Sequence, residues 1–131
     1  MILLDTSFIV SYLMNNDKDH VRALKISGKI SKKELVITNA ILIETMNLLT
    51  KKLNKNTKAI FKIYKSIKKN FKIIYETEEL TERSMQTLVK YKANIGLADS
   101  LNIEVMKDLD IYEIVSFDPD FDNKEKIIRI H

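Results

Sequence analysis

The 131-residue chain contains no cysteine, a single proline and two glycines. Without thiols, neither a disulfide framework nor a thiolate metal site can form. So few chain breakers leave room for long helices joined by short connections. No apolar run approaches the roughly 18 residues that a membrane span requires. Met1-Ile2-Leu3-Leu4 meets Asp5 at once, which lacks the basic start and long apolar stretch of a signal peptide. A cytoplasmic location with no membrane partner is therefore expected. There is no low-complexity tract, linker or internal repeat. Ser-His-Asp arrangements, P-loops and Gly-rich dinucleotide turns are also missing.

The hydrophobic fraction is 45% and the formal net charge is +4. A chain of this length buries about two-thirds of its unfolded surface, enough for one self-supporting domain spanning residues 1–131. The modest basic excess leans toward an anionic partner.

Ile2-Leu3-Leu4, Leu35-Val36-Ile37, Ile73-Ile74-Tyr75, Ile114-Val115 and residues 127–130 are short, mostly unalternating apolar runs. Such runs suit strands covered on both faces, hence a parallel sheet. Helical patterns lie between them, at 7–14, 18–30, 39–53, 57–69, 78–92 and 98–109. The expected fold is α/β: a three-layer domain whose central, mostly parallel sheet is flanked by helices. Ligands of such sheets bind beyond the carboxyl ends of the strands, which directs attention to the acids there.

Asp5 ends the first strand, where it could cap the next helix or face a ligand. Glu44 follows three large apolar residues in a helix that reads as buried around most of its girth, and a lone carboxylate there needs a partner. Asp99 opens a helix whose solvent stripe reads as Ser100, Glu104, Lys107 and Asp108. Asp99 lies off that stripe, alongside Ile103 and Met106. Its alternative role is a first-turn charge favoured by the helix dipole. Asp118 follows the strand at 113–117, in Asp118-Pro119-Asp120-Phe121-Asp122. A calcium loop is excluded, because the sixth position is Asn123 rather than Gly and the twelfth is Arg129 rather than Glu. An acidic turn remains the alternative. Converging carboxylates repel one another and call for a cation, and oxygen ligands point to Mg²⁺ or Mn²⁺ rather than zinc.

Asp5-Thr6-Ser7, Glu44, Leu97-Ala98-Asp99-Ser100 and Ser116-Phe117-Asp118-Pro119-Asp120-Phe121, in this order, resemble the PIN-domain nucleases. The likeness is nearest to the short VapC-type toxins of toxin–antitoxin pairs and runs almost end to end. It implies a divalent-metal-dependent endoribonuclease with Asp5, Glu44, Asp99 and Asp118 as catalytic, metal-binding acids. Thr6, Ser7 and Ser116 would be supporting polar groups, and Asp120 or Asp122 auxiliary acids. An RNA substrate, a cognate antitoxin and a homodimer are the implied partners. Phe117 departs from the pattern, because many relatives carry a basic residue beside the final acid. An RNA-processing nuclease and an inactive RNA-binding adaptor are the alternatives.

Lys58, Lys62, Lys65 and Lys69 form one stripe on the helix at 57–69, and Lys51, Lys52 and Lys55 extend it. This is either a solvated face or a surface that tracks a nucleic-acid backbone. His20 fits a first helical turn better than a site. The five Tyr and five Phe read as core. An aspartyl phosphatase would need Asp at position 7, which is Ser. A receiver domain would need an acceptor Asp after a central strand and a Lys after a later one.

Overall fold

The computed structural model describes residues 1–131. In chain order the elements are β1 (Ile2–Leu4), α1 (Thr6–Leu13), α2 (His20–Ile30), β2 (Leu35–Thr38), α3 (Asn39–Lys52) and α4 (Thr57–Asn70). They continue with β3 (Lys72–Ile74), α5 (Glu78–Lys90), α6 (Leu97–Asp108), β4 (Glu113–Val115), a 3₁₀ turn (Pro119–Phe121) and β5 (Ile128–Ile130).

The strands form one sheet in the order β3-β2-β1-β4-β5, and every pairing is parallel. Leu3, Val36, Ile37, Ile114 and Val115 are fully buried, which is why these strands show no polar alternation. They belong to a cluster of 23 buried apolar residues that includes Ile103 and Met106 of α6. Each large aliphatic in it contributes about 1.5–3 kcal/mol by leaving water. From β1 the chain winds outward through β2 and β3, then returns to β4 on the other flank of β1. The carboxyl ends of β1 and β4 therefore lie side by side.

Helix α2 begins at His20 rather than 18, because Asp17 shapes the turn before it. Its carboxylate accepts from Ser11 Oγ and from the Asp19 amide, both at 2.8 Å.

Three expectations need correction. The stripe on α6 is solvated only at its end: Lys107 and Asp108 are exposed, whereas Ser100 and Glu104 are buried. Helix α6 is covered by α5 as well as by the sheet. Glu104 accepts from Thr87 Oγ1, from Arg83 Nη1 at 3.1 Å and from Lys107 Nζ at 3.0 Å. Those partners make a buried charge tolerable.

Helix α3 is buried only along Ile41, Leu42, Thr45 and Leu49; Ile43, Glu44 and Leu48 are exposed. The aromatics fill the core only in part: Phe8 and Phe121 are buried, Tyr64, Phe71, Tyr91 and Phe117 pack against it, and Tyr12, Phe61, Tyr75 and Tyr112 are exposed. Phe61 stands exposed on the lysine face of α4, with Lys65 Nζ 5.2 Å from its ring centre.

Candidate active site

Asp5 follows β1 directly and is only 7% exposed. Its amide continues the ladder by donating to the Val115 carbonyl at 3.0 Å. Its Oδ2 accepts from Ser116 Oγ at 2.7 Å and from Ser7 Oγ at 3.0 Å. Asp5 sits at the N-cap position of α1, but its side chain makes no capping bond. The two hydroxyls that hold it also receive backbone amides, Phe117 N on Ser7 Oγ and Asp118 N on Ser116 Oγ, both at 3.0 Å. These bonds sew the start of α1 to the end of β4. Thr6 Oγ1 donates to Glu44 Oε2 at 3.0 Å, joining α3 to the same junction.

Asp99 enters from α6, where it lies in the first turn. One turn on, the buried Asn102 accepts from Thr38 Oγ1 at 2.8 Å and ties α6 to the end of β2. Asp99, Asp118 and Asp120 each present a carboxylate oxygen within 4.8 Å of the others. Asp118 also starts the 3₁₀ turn, its Oδ1 accepting from the Asp120 amide at 2.9 Å.

Asp5 and Glu44 adjoin these three, since Ser116 Oγ links Asp5 to the Asp118 amide and Thr6 holds Glu44 at the same junction. Burial, then the charges of Asp5, Asp118, Asp120 and Glu44, push the Asp99 carboxyl up to about 7. Burial also raises Asp5, against the opposing bonds from Ser116, Ser7 and the Thr6 backbone, and Asp118 raises it further. None of these five acids takes part in an ion pair. The lysines and arginines that do form them bind Asp19, Glu104, Asp108, Asp122 and Glu125 instead. Five carboxylates without a basic partner repel one another, and a divalent ion is the compensation their hard oxygen donors suit.

Thr6, Ser7 and Ser116 touch this group, and Asp120 belongs to it. Asp122 does not. Arg129 grips it through Nε at 2.7 Å and Nη2 at 2.9 Å, holding its carboxyl below the usual range. The third guanidinium nitrogen, Nη1, donates to the Ser116 carbonyl at 3.1 Å. An acid two residues past Asp120 was drawn away by a cation that becomes a neighbour only when β5 pairs with β4.

His20 binds the Ser11 carbonyl through Nδ1 at 2.8 Å, outside the cluster. Lys51, Lys52, Lys55, Lys58, Lys62 and Lys65 are all exposed, and Lys51 shares a shallow depression with Glu44. Two features escaped the sequence. Asn102 lies one turn from Asp99 on the same stripe, a polar residue among apolar ones, which was the available signal. The other is Arg22, whose guanidinium carbon lies 4.4 Å from the ring centre of Phe117; nothing local announces that contact.

A parallel α/β sheet with unpaired acids gathered beyond its carboxyl edge places the chain among α/β domains with an acidic site at the sheet's mouth. The model of the PIN domain matches residues 2–127, and the chain belongs to that family. Among solved structures, it is similar to VapC20 of Mycobacterium tuberculosis, described as a toxin that cleaves the sarcin–ricin loop. The identity is 22% and the TM-score 0.82, over 97% of this chain and 98% of that one. It is also similar to FitAcB of Neisseria gonorrhoeae (16% identity, TM-score 0.72, 100% of this chain and 97% of that one). A third is VapBC2 of Rickettsia felis, solved with a DNA fragment from its promoter (18%, TM-score 0.69, 99% and 98%). No curated protein sequence matches the chain.

Proposed function

We propose that this PIN domain is a divalent-metal-dependent endoribonuclease and the toxin of a toxin–antitoxin pair. The observation that carries the reading is the gathering of Asp99, Asp118 and Asp120, joined through Ser116 and Thr6 to Asp5 and Glu44, with none of the five acids in an ion pair. Asp5, Asp99 and Asp118 would hold the main ion, and Glu44 would hold a second ion or the attacking water, with Asp120 in support. Mg²⁺ or Mn²⁺ suits the all-oxygen donor set. When bound, such an ion activates water and offsets charge on the phosphorus centre. Ser116 and Ser7 fix the orientation of Asp5 by occupying its Oδ2, and Thr6 aims the exposed Glu44 back toward the cluster.

The toxin reading is supported by the company of the fold, since the similar solved structures include a toxin–antitoxin complex from Klebsiella pneumoniae and the toxin VapC20. By analogy this chain takes a cognate antitoxin and forms a homodimer. A cleft of about 660 Å³ between α1, α2 and α4, lined mainly by apolar side chains such as Phe8, Tyr12 and Ile63, is a surface a partner could cover. The exposed lysines of α3 and α4 would add attraction for an RNA backbone.

The test is cleavage of assorted RNAs in Mg²⁺ or Mn²⁺, with EDTA, and with Asp5→Asn or Asp99→Asn. Cutting should need the metal and vanish in both variants. Activity that ignores EDTA, or either variant cutting as well as wild type, overturns the reading. Salt-sensitive RNA binding without turnover would identify an inactive adaptor instead.

A further inference from the structure

We propose that Arg22, stacked on Phe117, is a positioning residue that grips an RNA backbone phosphate next to the one being cut; this rests on the nuclease reading above. The chemical need comes first. Five carboxylates repel an incoming polyanion, and an ion held between them compensates only at the scissile phosphate. A neighbouring phosphate at the mouth of the centre needs a cation of its own.

Two arginines touch the segment that carries the acids. Arg129 is spent: its three nitrogens donate to Asp122 and to the Ser116 carbonyl, and its side chain is only 11% exposed. Arg22 is different. Its side chain is 48% exposed, and only Nη2 has a partner, Asp19 Oδ1 at 2.7 Å. It touches none of the five acids, so its charge is not consumed by them.

The platform beneath it is rigid. Phe117 lies between Ser116, which holds Asp5, and Asp118. Its amide is fixed on Ser7 Oγ at 3.0 Å, and its ring packs against Phe8 with centres 6.3 Å apart. A guanidinium lying over a ring keeps its in-plane N–H groups free at the edge, in the geometry that matches a phosphate. Arg22 stands in the first turn of α2, the end at which the helix dipole opposes a cation.

The experiment has a binding arm and a turnover arm. In the Asp99→Asn background, binding of a short fluorescein-labelled single-stranded RNA of mixed sequence is followed by anisotropy across a KCl series. Arg22→Gln should weaken binding about tenfold, and the slope of log K against log salt should shrink by about 0.7, the signature of one lost phosphate contact. Arg22→Lys should keep the slope while binding less tightly, and Phe117→Leu should weaken binding with the charge still present. In the active protein, Arg22→Gln should raise KM about tenfold and leave kcat within about twofold. An Arg22→Gln slope equal to the parent's, or a fall confined to kcat, overturns the proposal while the nuclease reading stands. A lower melting temperature with an unchanged slope would reveal a merely structural residue and overturn it too. A wild type that cuts no RNA but shows the Arg22-dependent slope ends the nuclease reading and leaves the phosphate contact. No RNA binding at all overturns both.

Discussion

Asn at position 99 keeps the shape of the side chain but removes its charge from a cluster in which Asp5, Asp118, Asp120 and Glu44 all act on it. The structure puts the Asp99 carboxyl at about 7 against an ordinary 3.8. That gap corresponds to about 4 kcal/mol between protonated and ionised forms. The carboxyl is only half-buried, so solvent screening cuts the usable figure to about 1–2 kcal/mol. The sign follows from proton linkage. A carboxyl raised on folding keeps its proton longer in the native state, so its stabilising contribution is complete below the unfolded value. It is lost as pH climbs to about 7. Asn does not titrate and escapes that loss. In EDTA, Asp99→Asn should therefore melt about 3–8 °C above wild type at alkaline pH, and the gain should disappear in acid below the ordinary carboxyl value. Thermal unfolding followed by circular dichroism at several pH values measures this. Saturating Mn²⁺ should stabilise wild type through preferential binding to the native state and do little for the variant. A variant that melts at or below the wild-type temperature at alkaline pH in EDTA would refute the reasoning.

Ser116→Ala removes the 2.7 Å bond to Asp5 and the acceptor for the Asp118 amide; RNA cleavage should fall at least tenfold, with a stability loss of about 1–2 kcal/mol in urea unfolding. Asp120→Asn should lower cleavage markedly, whereas Asp122→Asn, whose carboxylate faces Arg129, should lower it far less; side-by-side turnover with Mn²⁺ decides. Arg83→Ala removes one partner of the buried Glu104 and leaves it Thr87 and Lys107; it should cost about 1 kcal/mol in chemical denaturation, with metal binding by calorimetry little changed.

Asp5 and Asp118 were legible because strand ends in a parallel sheet are marked by where the apolar runs stop. Asp99 stood out because it shared a helical stripe with Ile103 and Met106, and that stripe does face the sheet. Glu44 was singled out for a reason the structure does not bear out. Its helix is open on one side, and Thr6 rather than enclosure directs the carboxylate. The stripe through Ser100 and Glu104 misled because periodicity reports polarity, while burial depends on whether the neighbouring helix brings Arg83 and Thr87. The stacking of Arg22 on Phe117 was invisible for a related reason: two residues 95 positions apart meet only through the packing of α1 and α2 beside the sheet.

The bonds holding Asp5 span almost the whole chain: Ser116 is 111 positions away, and the Ser7–Phe117 bond spans 110. Closing so large a loop is slow and comes late in folding. No early-formed fragment can possess the centre, so it exists only once the molecule is finished. An ion captured there would act as a clasp between the two extremities of the polypeptide. Its release would track the opening of the entire sheet rather than the fraying of any single helix, and slowed amide exchange in β1 and β4 would register it.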